Sequence, residues 1–260
     1  MRILLYTFLI INLFSNCKNL TPDIPVEQMV DDRPKWPDFI SNEYVMGLFQ
    51  PSKHQDFVPI DLMYANREGL LLHKDVYDSF RKMYDKAQSE GISLRILSAT
   101  RNFDYQKGIW DRKWNGQTIL SDGSKASEIQ DPVERAKKIL LYSSMPGTSR
   151  HHWGTDIDIN AFSNEYFEEG QGQLEYNWLM KNAGDFGFCQ PYTSKELGRT
   201  GYEEEKWHWT YLPLSIDLTS YYKAHISNAM IDSIARTSIA SKIDMLNNYV
   251  LGIASNCQSN

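Results

Sequence analysis

The stretch Ser149–Asn160 (Ser-Arg-His-His-Trp-Gly-Thr-Asp-Ile-Asp-Ile-Asn) concentrates side chains that can bind a metal ion. Side chains alternate along a β-strand, so Asp156 and Asp158 would share one face while the neighbouring isoleucines pack inward on the other. His151 precedes this predicted strand, after a turn, and can fold back toward Asp158. A histidine and an aspartate brought together in this way can supply two of the three protein ligands of a catalytic zinc ion.

A third ligand has to come from a distant part of the chain, and the segment Glu205–Trp209 (Glu-Lys-Trp-His-Trp) offers His208. The two tryptophans beside it would pack on the opposite strand face and direct the imidazole outward. A catalytic zinc keeps one coordination position for water, and a nearby carboxylate then has to move protons. Strict alternation places Lys206 rather than Glu205 on the face of His208, so a role for Glu205 requires a bend before the strand.

The elements that must position these residues mix helices and strands without a regular βαβ alternation, which favours the α+β class. The clearest helix is predicted at 74–90, where Val76, Phe80 and Met83 recur at helical spacing. Beyond Pro213 the chain is also predicted to be helical. The remaining predicted elements are helices at 102–114, 132–142 and 175–186 and strands at 92–97, 156–161 and 207–212.

Composition and charge exclude some classes of partner. Of the 260 residues, 42% are hydrophobic and 23% are charged, as is ordinary for a globular protein. The net charge is -6 and no long basic stripe occurs, which argues against nucleic acid or an anionic membrane surface as a partner.

The N-terminus resembles an export signal. Arg2 precedes an apolar run over residues 3–14, which is too short for a comfortable bilayer span but suits a secretory signal. Ser15-Asn16-Cys17 follows directly and resembles the lipobox of bacterial lipoproteins, whose cysteine becomes the lipidated first residue. Cleavage of a plain signal peptide is the alternative. In either case we expect an exported protein of the bacterial cell envelope or periplasm. Lipidation of Cys17 would give it an N-terminal lipid anchor as its membrane contact.

The other two cysteines, Cys189 and Cys257, have a spacing that leaves open whether they pair or Cys189 is a buried free thiol. The sequence also suggests a division of the chain into four segments. They are a signal with its lipobox at 1–17, a proline-rich tether at 18–56, the domain with the candidate metal site at 57–213 and a helical C-terminal extension at 214–260.

Two motifs, Ser-x-His-x-x-Gly-x-x-x-Asp from Ser149 and Glu-x-Trp-His from Glu205, resemble those of the D-alanyl-D-alanine metallopeptidases. This family includes VanY-type D,D-carboxypeptidases, D-Ala-D-Ala dipeptidases and L,D-carboxypeptidases. The run Ser98-Ala99-Thr100-Arg101-Asn102 with Gln106 looks like the family's Ser-Gly-Tyr-Arg-Ser segment and its following Gln, and 177–188 resembles the helix and Gly-Phe turn between the metal motifs. The resemblance implies a small central antiparallel sheet flanked by helices, as in Hedgehog domains.

The resemblance also implies the roles of the metal-site residues. It makes His151, Asp158 and His208 the ligands of one zinc ion and Glu205 the general base. Arg101 would stabilise the developing oxyanion or hold a substrate carboxylate, although it can instead be a structural ion-pair partner.

Substrate contacts are implied at Ser149 and Gln106. Asp156 stands where the family often has a small alanine, so it is expected to contact a substrate amine or to orient a ligand. His152 could also bind a metal ion, since it is a histidine next to His151. The spacing of the family motif instead assigns His152 to packing around the site.

The activity implied by the family is removal of a C-terminal D-alanine from peptidoglycan stem peptides by a zinc-dependent D,D-carboxypeptidase. An L,D-carboxypeptidase, a D-Ala-D-Ala dipeptidase and an endopeptidase share the same chemistry and stay open. The alternatives from other classes are a non-catalytic zinc-stabilised module that binds peptidoglycan and an adhesin with a structural metal.

Overall fold

A computed structural model describes residues 36–258, whose strands form two antiparallel sheets. The predicted signal with its lipobox and residues 18–35 of the predicted tether lie outside the described residues. In chain order the strands are β1 (Phe57–Pro59), β2 (Leu71–His73), β3 (Ile96–Ser98), β4 (Asp156–Ile159), β5 (Phe188–Cys189) and β6 (His208–Tyr211). Strand β1 pairs with β2, and the larger sheet has the order β3-β4-β6-β5.

Helices flank this larger sheet and continue after its last strand, so the predicted α+β class with a small antiparallel sheet is confirmed. The helices are α1 (Asn42–Val45), α2 (Lys74–Ser89), α3 (Phe103–Trp114), α4 (Pro132–Ile139), α5 (Gly170–Asn182), α6 (Leu212–His225), α7 (Asn228–Ala235) and α8 (Ile239–Ile243). Among residues 36–258, none of these helices combines the length and the apolar character needed to cross a bilayer.

One face of the larger sheet packs against α2 and α5. Ile157 and Ile159 of β4 are fully buried there, together with Trp209 of β6. The apolar positions of α2 that predicted a helix, among them Val76 and Phe80, are also fully buried in this cluster. Because side chains alternate along each strand, burial of this face turns the acids and the histidine of β4 and β6 toward the other side.

Several predicted elements begin or end elsewhere, among them the strand predicted at 92–97, which is observed at Ile96–Ser98, and the helix predicted at 132–142, which ends at Ile139. Strand β4 ends at Ile159 because Asn160 adopts a left-handed backbone (φ 64°) and its side chain accepts a hydrogen bond from the backbone N–H of Arg95 at 2.6 Å. Helix α5 begins five residues before the predicted position, in a glycine-containing segment that local propensity disfavours. Gly172 is required there, since a Cβ atom would lie 1.9 Å from the carbonyl oxygen of Tyr166.

Residues 36–56 are folded, so the predicted tether is wrong for this part of the chain. Helix α1 buries Tyr44 and Val45 in the core. The hydroxyl of Tyr44 donates to the carbonyl of Trp153 at 2.8 Å, and the Trp153 indole donates to the carbonyl of Val45 at 2.9 Å. The aromatic residues between the prolines therefore hold this segment against the turn that carries His151.

The helices after residue 213 pack into the same core as α1, rather than forming a separate unit. The hydroxyl of Tyr222 on α6 donates to the carbonyl of Gly147 at 2.9 Å. A disulfide joins Cys189 of β5 to Cys257, with their Cα atoms 5.9 Å apart. The two cysteines whose pairing the sequence left open are therefore bonded, and the disulfide links the C-terminal segment to the sheet.

Candidate active site

The register of the sheet brings Asp158 and His208 together. Strands β4 and β6 are antiparallel, and Asp158 lies directly opposite His208 in their pairing. Directly opposed residues on neighbouring strands point to the same face, with their Cβ atoms only about 5 Å apart. His208 Nδ1 consequently lies 3.1 Å from Asp158 Oδ1.

His151 reaches this pair from a 3-10 turn, Arg150–Trp153, that precedes β4. The turn ends at Gly154 in the left-handed region (φ 73°), where a Cβ atom would lie 2.4 Å from the Phe57 ring. His151 Nδ1 lies 2.8 Å from the carbonyl oxygen of Ala99 and donates to it, which leaves a lone pair on Nε2. That Nε2 lies 3.3 Å from Asp158 Oδ2.

The structure therefore gathers the three side chains that the sequence singled out as metal ligands. One ligand atom from each of His151, Asp158 and His208 lies within 4.8 Å of the other two. All three residues are buried, yet His151 Nε2 and Asp158 Oδ1 have no hydrogen-bond partner among the described residues. Buried polar atoms are normally paired, so these orphaned atoms fit a cation bound between them. Two imidazole nitrogens and a carboxylate oxygen form a donor set of the kind found in catalytic zinc sites.

Negative charge is concentrated around His208. Burial alone would lower the pKa of His208, but the neighbouring carboxylates of Asp156, Asp158 and Glu205 raise this pKa well above its usual value. Burial would raise the pKa of Asp158, yet His151 and His208 hold that pKa well below its usual range. The cluster thus presents ionised carboxylate where a metal cation would bind.

Asp156 supports His208 instead of contacting substrate. It is fully buried, with Oδ2 2.8 Å from His208 Nε2 and Oδ1 accepting from the hydroxyls of Thr155 and Thr210, each at 2.7 Å. The predicted contact with a substrate amine is wrong, because no part of the side chain reaches the cleft. Its other predicted role, orienting a ligand, agrees with this geometry, because Asp156 holds Nε2 of His208 and thereby turns Nδ1 toward the ligand group.

Arg150 neutralises Asp156 and was not predicted. Its Nε lies 3.1 Å from Asp156 Oδ2, and both side chains are fully buried. The remaining guanidinium nitrogens donate to the hydroxyls of Thr219 on α6 at 2.9 Å and Thr210 at 3.0 Å. The Arg at the second position of the motif and the Asp in place of alanine were the sequence signals for this pair, and the C-terminal helix completes it.

Glu205 joins the cluster through the bend that its role required. The N–H of His208 donates to the carbonyl of Glu205 at 3.2 Å, which closes a turn before β6. The carboxylate lies at the edge of the ligand group, with Oε2 3.3 Å from His208 Nδ1. Burial raises the pKa of Glu205, although the neighbouring His208 lowers it in part.

Because of this turn, the predicted packing on the opposite strand face is confirmed for Trp209 and wrong for Trp207. Trp209 packs in the core on the far face of the sheet, as predicted. Trp207 precedes β6 and does not follow its alternation. It lies instead on the side of the cleft, with its ring centroid 6.2 Å from that of Tyr142.

Arg101 lines the cleft beside the ligand group. Its backbone N–H donates to the carbonyl of His151 at 3.1 Å, so the two loops are tied together. Its guanidinium donates to Ser98 Oγ at 3.2 Å and lies 3.9 Å from Asp158 Oδ2. The Nε atom is buried without a partner among the described residues, which leaves the side chain able to bind a further acceptor.

His152 holds backbone segments in place around the site. It is fully buried, its Nδ1 donates to the carbonyl of Arg101 at 2.6 Å, and its Nε2 accepts from the N–H of Gly147 at 3.1 Å. Burial lowers the pKa of His152 to about 3, so the ring is neutral. Both nitrogens are occupied, which agrees with the prediction that it packs around the site and does not bind metal.

A cleft of about 530 Å³ opens above the ligand group. Ser149 and Gln106 line it, and each has a side-chain oxygen without a partner in the part of the chain that the structure describes, so their role as substrate contacts stays a prediction. Sequence reasoning missed several other lining residues. Of these, only Lys113 carried a signal, because it lies two helical turns after Gln106 and so on the same face of α3. Among the missed residues are Lys113, Tyr142, Tyr192, Tyr202 and Trp207.

The site can be compared with known proteins. The profile of the VanY family, described as D-alanyl-D-alanine carboxypeptidase, matches residues 69–214, which is more than half of the 260-residue chain. The chain belongs to the VanY family. All three candidate ligands and Glu205 lie within the matched region.

Two curated proteins are similar to this chain in sequence. YodJ of Bacillus subtilis strain 168, a carboxypeptidase by name, is 29% identical over 180 residues, covering 66% of this chain and 58% of YodJ. A D-alanyl-D-alanine carboxypeptidase of Enterococcus faecalis is 26% identical over 141 residues, covering 54% of this chain and 48% of that protein. The chain thus spans about half the length of the curated relatives it matches.

Two solved structures are also similar to this chain. A zinc-bound variant of the vancomycin-resistance D,D-pentapeptidase VanY is 25% identical with a TM-score of 0.45, covering 64% of this chain and 88% of that one. The LD-carboxypeptidase LdcB is 21% identical with a TM-score of 0.49, covering 76% of each chain.

Proposed function

We propose that this VanY-family chain is a zinc-dependent D,D-carboxypeptidase that removes D-alanine from the C-terminus of peptidoglycan stem peptides. The observation that carries the proposal is the convergence of His151, Asp158 and His208 within 4.8 Å, with unpartnered ligand atoms and with Glu205 beside them. A purely structural zinc is usually closed by four protein ligands, whereas three ligands leave a position for water.

A zinc ion held by these three residues would polarise a scissile carbonyl and lower the pKa of a bound water to about 7. Glu205 would take the proton of the attacking water and later deliver it to the leaving amine. Its carboxylate is suited to this because it lies at the edge of the ligand group, at 3.3 Å from His208 Nδ1, and faces the cleft.

Arg101 would stabilise the negative charge that develops on the substrate carbonyl oxygen. Its guanidinium is directed to the ligand group, at 3.9 Å from Asp158 Oδ2, and its side chain is 20% exposed to the cleft side. A fixed cation in a partly dehydrated site stabilises such charge more strongly than water does.

The direct test is incubation of the zinc-loaded protein with defined muropeptides that carry tetrapeptide and pentapeptide stems, followed by mass spectrometry of the products. Loss of one D-alanine from the pentapeptide supports the proposal. Loss of D-alanine from the tetrapeptide alone indicates an L,D-carboxypeptidase. Release of a dipeptide or cleavage between stems indicates the other two peptidases. Binding of muropeptides without any cleavage indicates a non-catalytic zinc-stabilised module and contradicts the proposal.

We also propose that the protein is exported to the bacterial cell envelope and anchored through a lipid on Cys17. The support is the apolar run over residues 3–14 followed directly by this cysteine, together with the disulfide between Cys189 and Cys257, because disulfides persist in oxidising compartments. Metabolic labelling with a radioactive fatty acid tests the anchor: wild type should incorporate label and a Cys17→Ala variant should not. An unlabelled wild-type protein in the soluble envelope fraction would indicate plain signal cleavage instead.

A further inference from the structure

The position of the Glu205 carboxylate depends mainly on the backbone that carries it. Among residues 36–258, this carboxylate has one ion-pair contact, in which Oε2 lies 3.3 Å from His208 Nδ1. Glu205 lies before β6, in a segment without regular secondary structure, so no strand pairing fixes its main chain. The groups that bind the peptide units around Glu205 therefore determine where its side chain points.

Asn164 binds the backbone on both sides of Glu205. Its side-chain Nδ2 donates to the carbonyl of Glu204 at 2.8 Å, and its Oδ1 accepts from the N–H of Lys206 at 3.0 Å. Asn164 also precedes a 3-10 turn, Glu165–Phe167, but its side chain makes no capping hydrogen bond to that turn. Asparagine at such a position commonly caps its own helix, whereas this side chain is committed to a segment far along the chain.

Gln190 binds the backbone of Glu205 itself. Its Nε2 donates to the carbonyls of Glu205 and Tyr192, each at 3.2 Å, and its Oε1 accepts from the hydroxyl of Tyr176 on α5 at 2.8 Å. The N–H of Glu205 donates to the carbonyl of Tyr192 at 2.9 Å. Gln190 is buried, so this second amide also connects the Glu205 backbone to the core.

Every backbone polar group from the carbonyl of Glu204 to the N–H of Lys206 consequently has a partner in the described part of the chain. The peptide units cannot rotate without breaking several of these hydrogen bonds, so the direction of the Glu205 side chain is fixed. Such fixation matters for a catalytic group, because a displacement of about 1 Å can lower a rate by about 100-fold. Asn164 is half-buried and lines the cleft, so it can be replaced with less damage to the core than Gln190.

We propose that Asn164 is a positioning residue for Glu205 and acts by holding the backbone before and after the general base. The inference rests on the proposed peptidase function and adds to it a residue outside the ligand group. Loss of the Asn164 amide should slow turnover and leave zinc binding intact, because the pairing of β4 with β6 holds His208 beside Asp158 independently. An amide that only stabilised the fold would not act through Glu205.

The kinetic test measures release of D-alanine from a pentapeptide by Asn164→Ala. Its kcat should fall by about 10- to 100-fold, as expected for a misplaced base, while KM and zinc content stay close to those of wild type. Asn164→Asp keeps the acceptor for the N–H of Lys206 and loses the donor to the carbonyl of Glu204, so its kcat should fall as well. Wild-type kcat in both variants overturns the inference.

A double variant shows whether Asn164 acts through the base. Asn164→Ala/Glu205→Gln should have the same kcat as Glu205→Gln alone, because the effects of residues that act through one group are not additive. If the two losses multiply, the positioning role is wrong. Asn228→Ala is the matched control, since the Asn228 side chain also accepts from a backbone N–H, that of Leu246 at 2.8 Å, but lies in the C-terminal helices. It should keep the wild-type kcat.

A structural comparison separates this inference from the proposed function. In crystals of the zinc-loaded Asn164→Ala protein, the Glu205 carboxylate should be displaced or should occupy more than one position, with the three ligand side chains unmoved. A carboxylate in the same position as in zinc-loaded wild type overturns the positioning role, whatever the activity. A wild type that releases no D-alanine from any muropeptide overturns the proposed function, and the two crystal structures then decide the role of Asn164.

Discussion

Asp156 Oδ2 lies 2.8 Å from His208 Nε2, and the other nitrogen of the same imidazole, Nδ1, lies 3.1 Å from Asp158 Oδ1. The buried carboxylate thus holds one edge of the ring while the other edge faces the metal-ligand group. A carboxylate on the outer nitrogen of a ligand histidine sets its tautomer and raises its basicity. Arg150, bonded to the same Asp156 oxygen, extends this support to α6.

Replacing Asp156 alone should weaken both the metal site and the fold. In Asp156→Ala the affinity for zinc should fall about 10- to 100-fold, because His208 loses the group that orients it. The guanidinium of Arg150 would be left buried without its carboxylate, which should lower the free energy of unfolding by about 3–5 kcal/mol. Competition with a chromophoric chelator measures the first effect, and urea unfolding of the metal-free protein measures the second.

The double variant Arg150→Met/Asp156→Ala is the control, because it removes both charges. It should recover much of the lost stability and still bind zinc weakly. Wild-type zinc affinity in the double variant would contradict the positioning role of Asp156.

Substitution of His151 and substitution of its neighbour His152 should have different effects on the zinc content of the protein. His151→Gln should abolish binding of the single zinc ion, since it removes one of three ligands. His152→Gln should retain one zinc per chain, because glutamine offers a donor and an acceptor for the same backbone groups. Elemental analysis after dialysis gives the stoichiometry. Added zinc should also raise the unfolding temperature of wild type and His152→Gln only. Zinc bound equally by both variants would remove His151 from the ligand set.

Glu205 should be needed for turnover and not for metal binding. Glu205→Gln is expected to lower kcat by about 100-fold or more while zinc stays bound, because the amide cannot accept the proton of water. Glu204→Gln, a change of the same kind one residue earlier, should turn over at close to the wild-type rate. Steady-state release of D-alanine from a pentapeptide measures both. Rapid turnover by Glu205→Gln would assign the base to another residue.

Arg101→Ala should also lower kcat/KM by about 100-fold, since a charged donor to the developing oxyanion is lost. A structural ion pair with Asp158 predicts a different outcome, namely loss of stability and of zinc with little specific effect on kcat. Parallel measurement of zinc content, unfolding temperature and kcat distinguishes the two roles. If only the zinc content and the unfolding temperature change, Arg101 has no direct role in the mechanism.

The disulfide between Cys189 and Cys257 should stabilise the fold substantially, because it closes a segment with a sequence separation of 68 residues. In the double variant Cys189→Ala/Cys257→Ala the free energy of unfolding should fall by about 2–4 kcal/mol. Reduction of wild type should lower it by a similar amount, and the same reductant should have no further effect on the double variant. Equal stability of all four samples would show that the bond contributes nothing.

Residue types and local spacing pointed to the three candidate ligands, and the resemblance to the D-alanyl-D-alanine metallopeptidases added Glu205 to them. They also predicted the α+β class and the core face of α2, because periodicity reports which side of an element is apolar. The alternation in β4 correctly separated Asp158 from Ile157. Such patterns are local, and each can be recognised without knowing what packs against the element.

Only the tertiary structure decided which distant groups meet. The opposition of Asp158 and His208 depends on the register between β4 and β6, and the burial of Asp156 depends on Arg150 and a helix more than sixty residues later in the chain. Residues 36–56 resembled a tether because their apolar residues do not recur at helix or strand spacing. This segment nevertheless packs onto the turn that carries His151. Burial and charge pairing at these positions arise from contacts between segments far apart in sequence. The residue spacing within one segment therefore cannot predict these contacts.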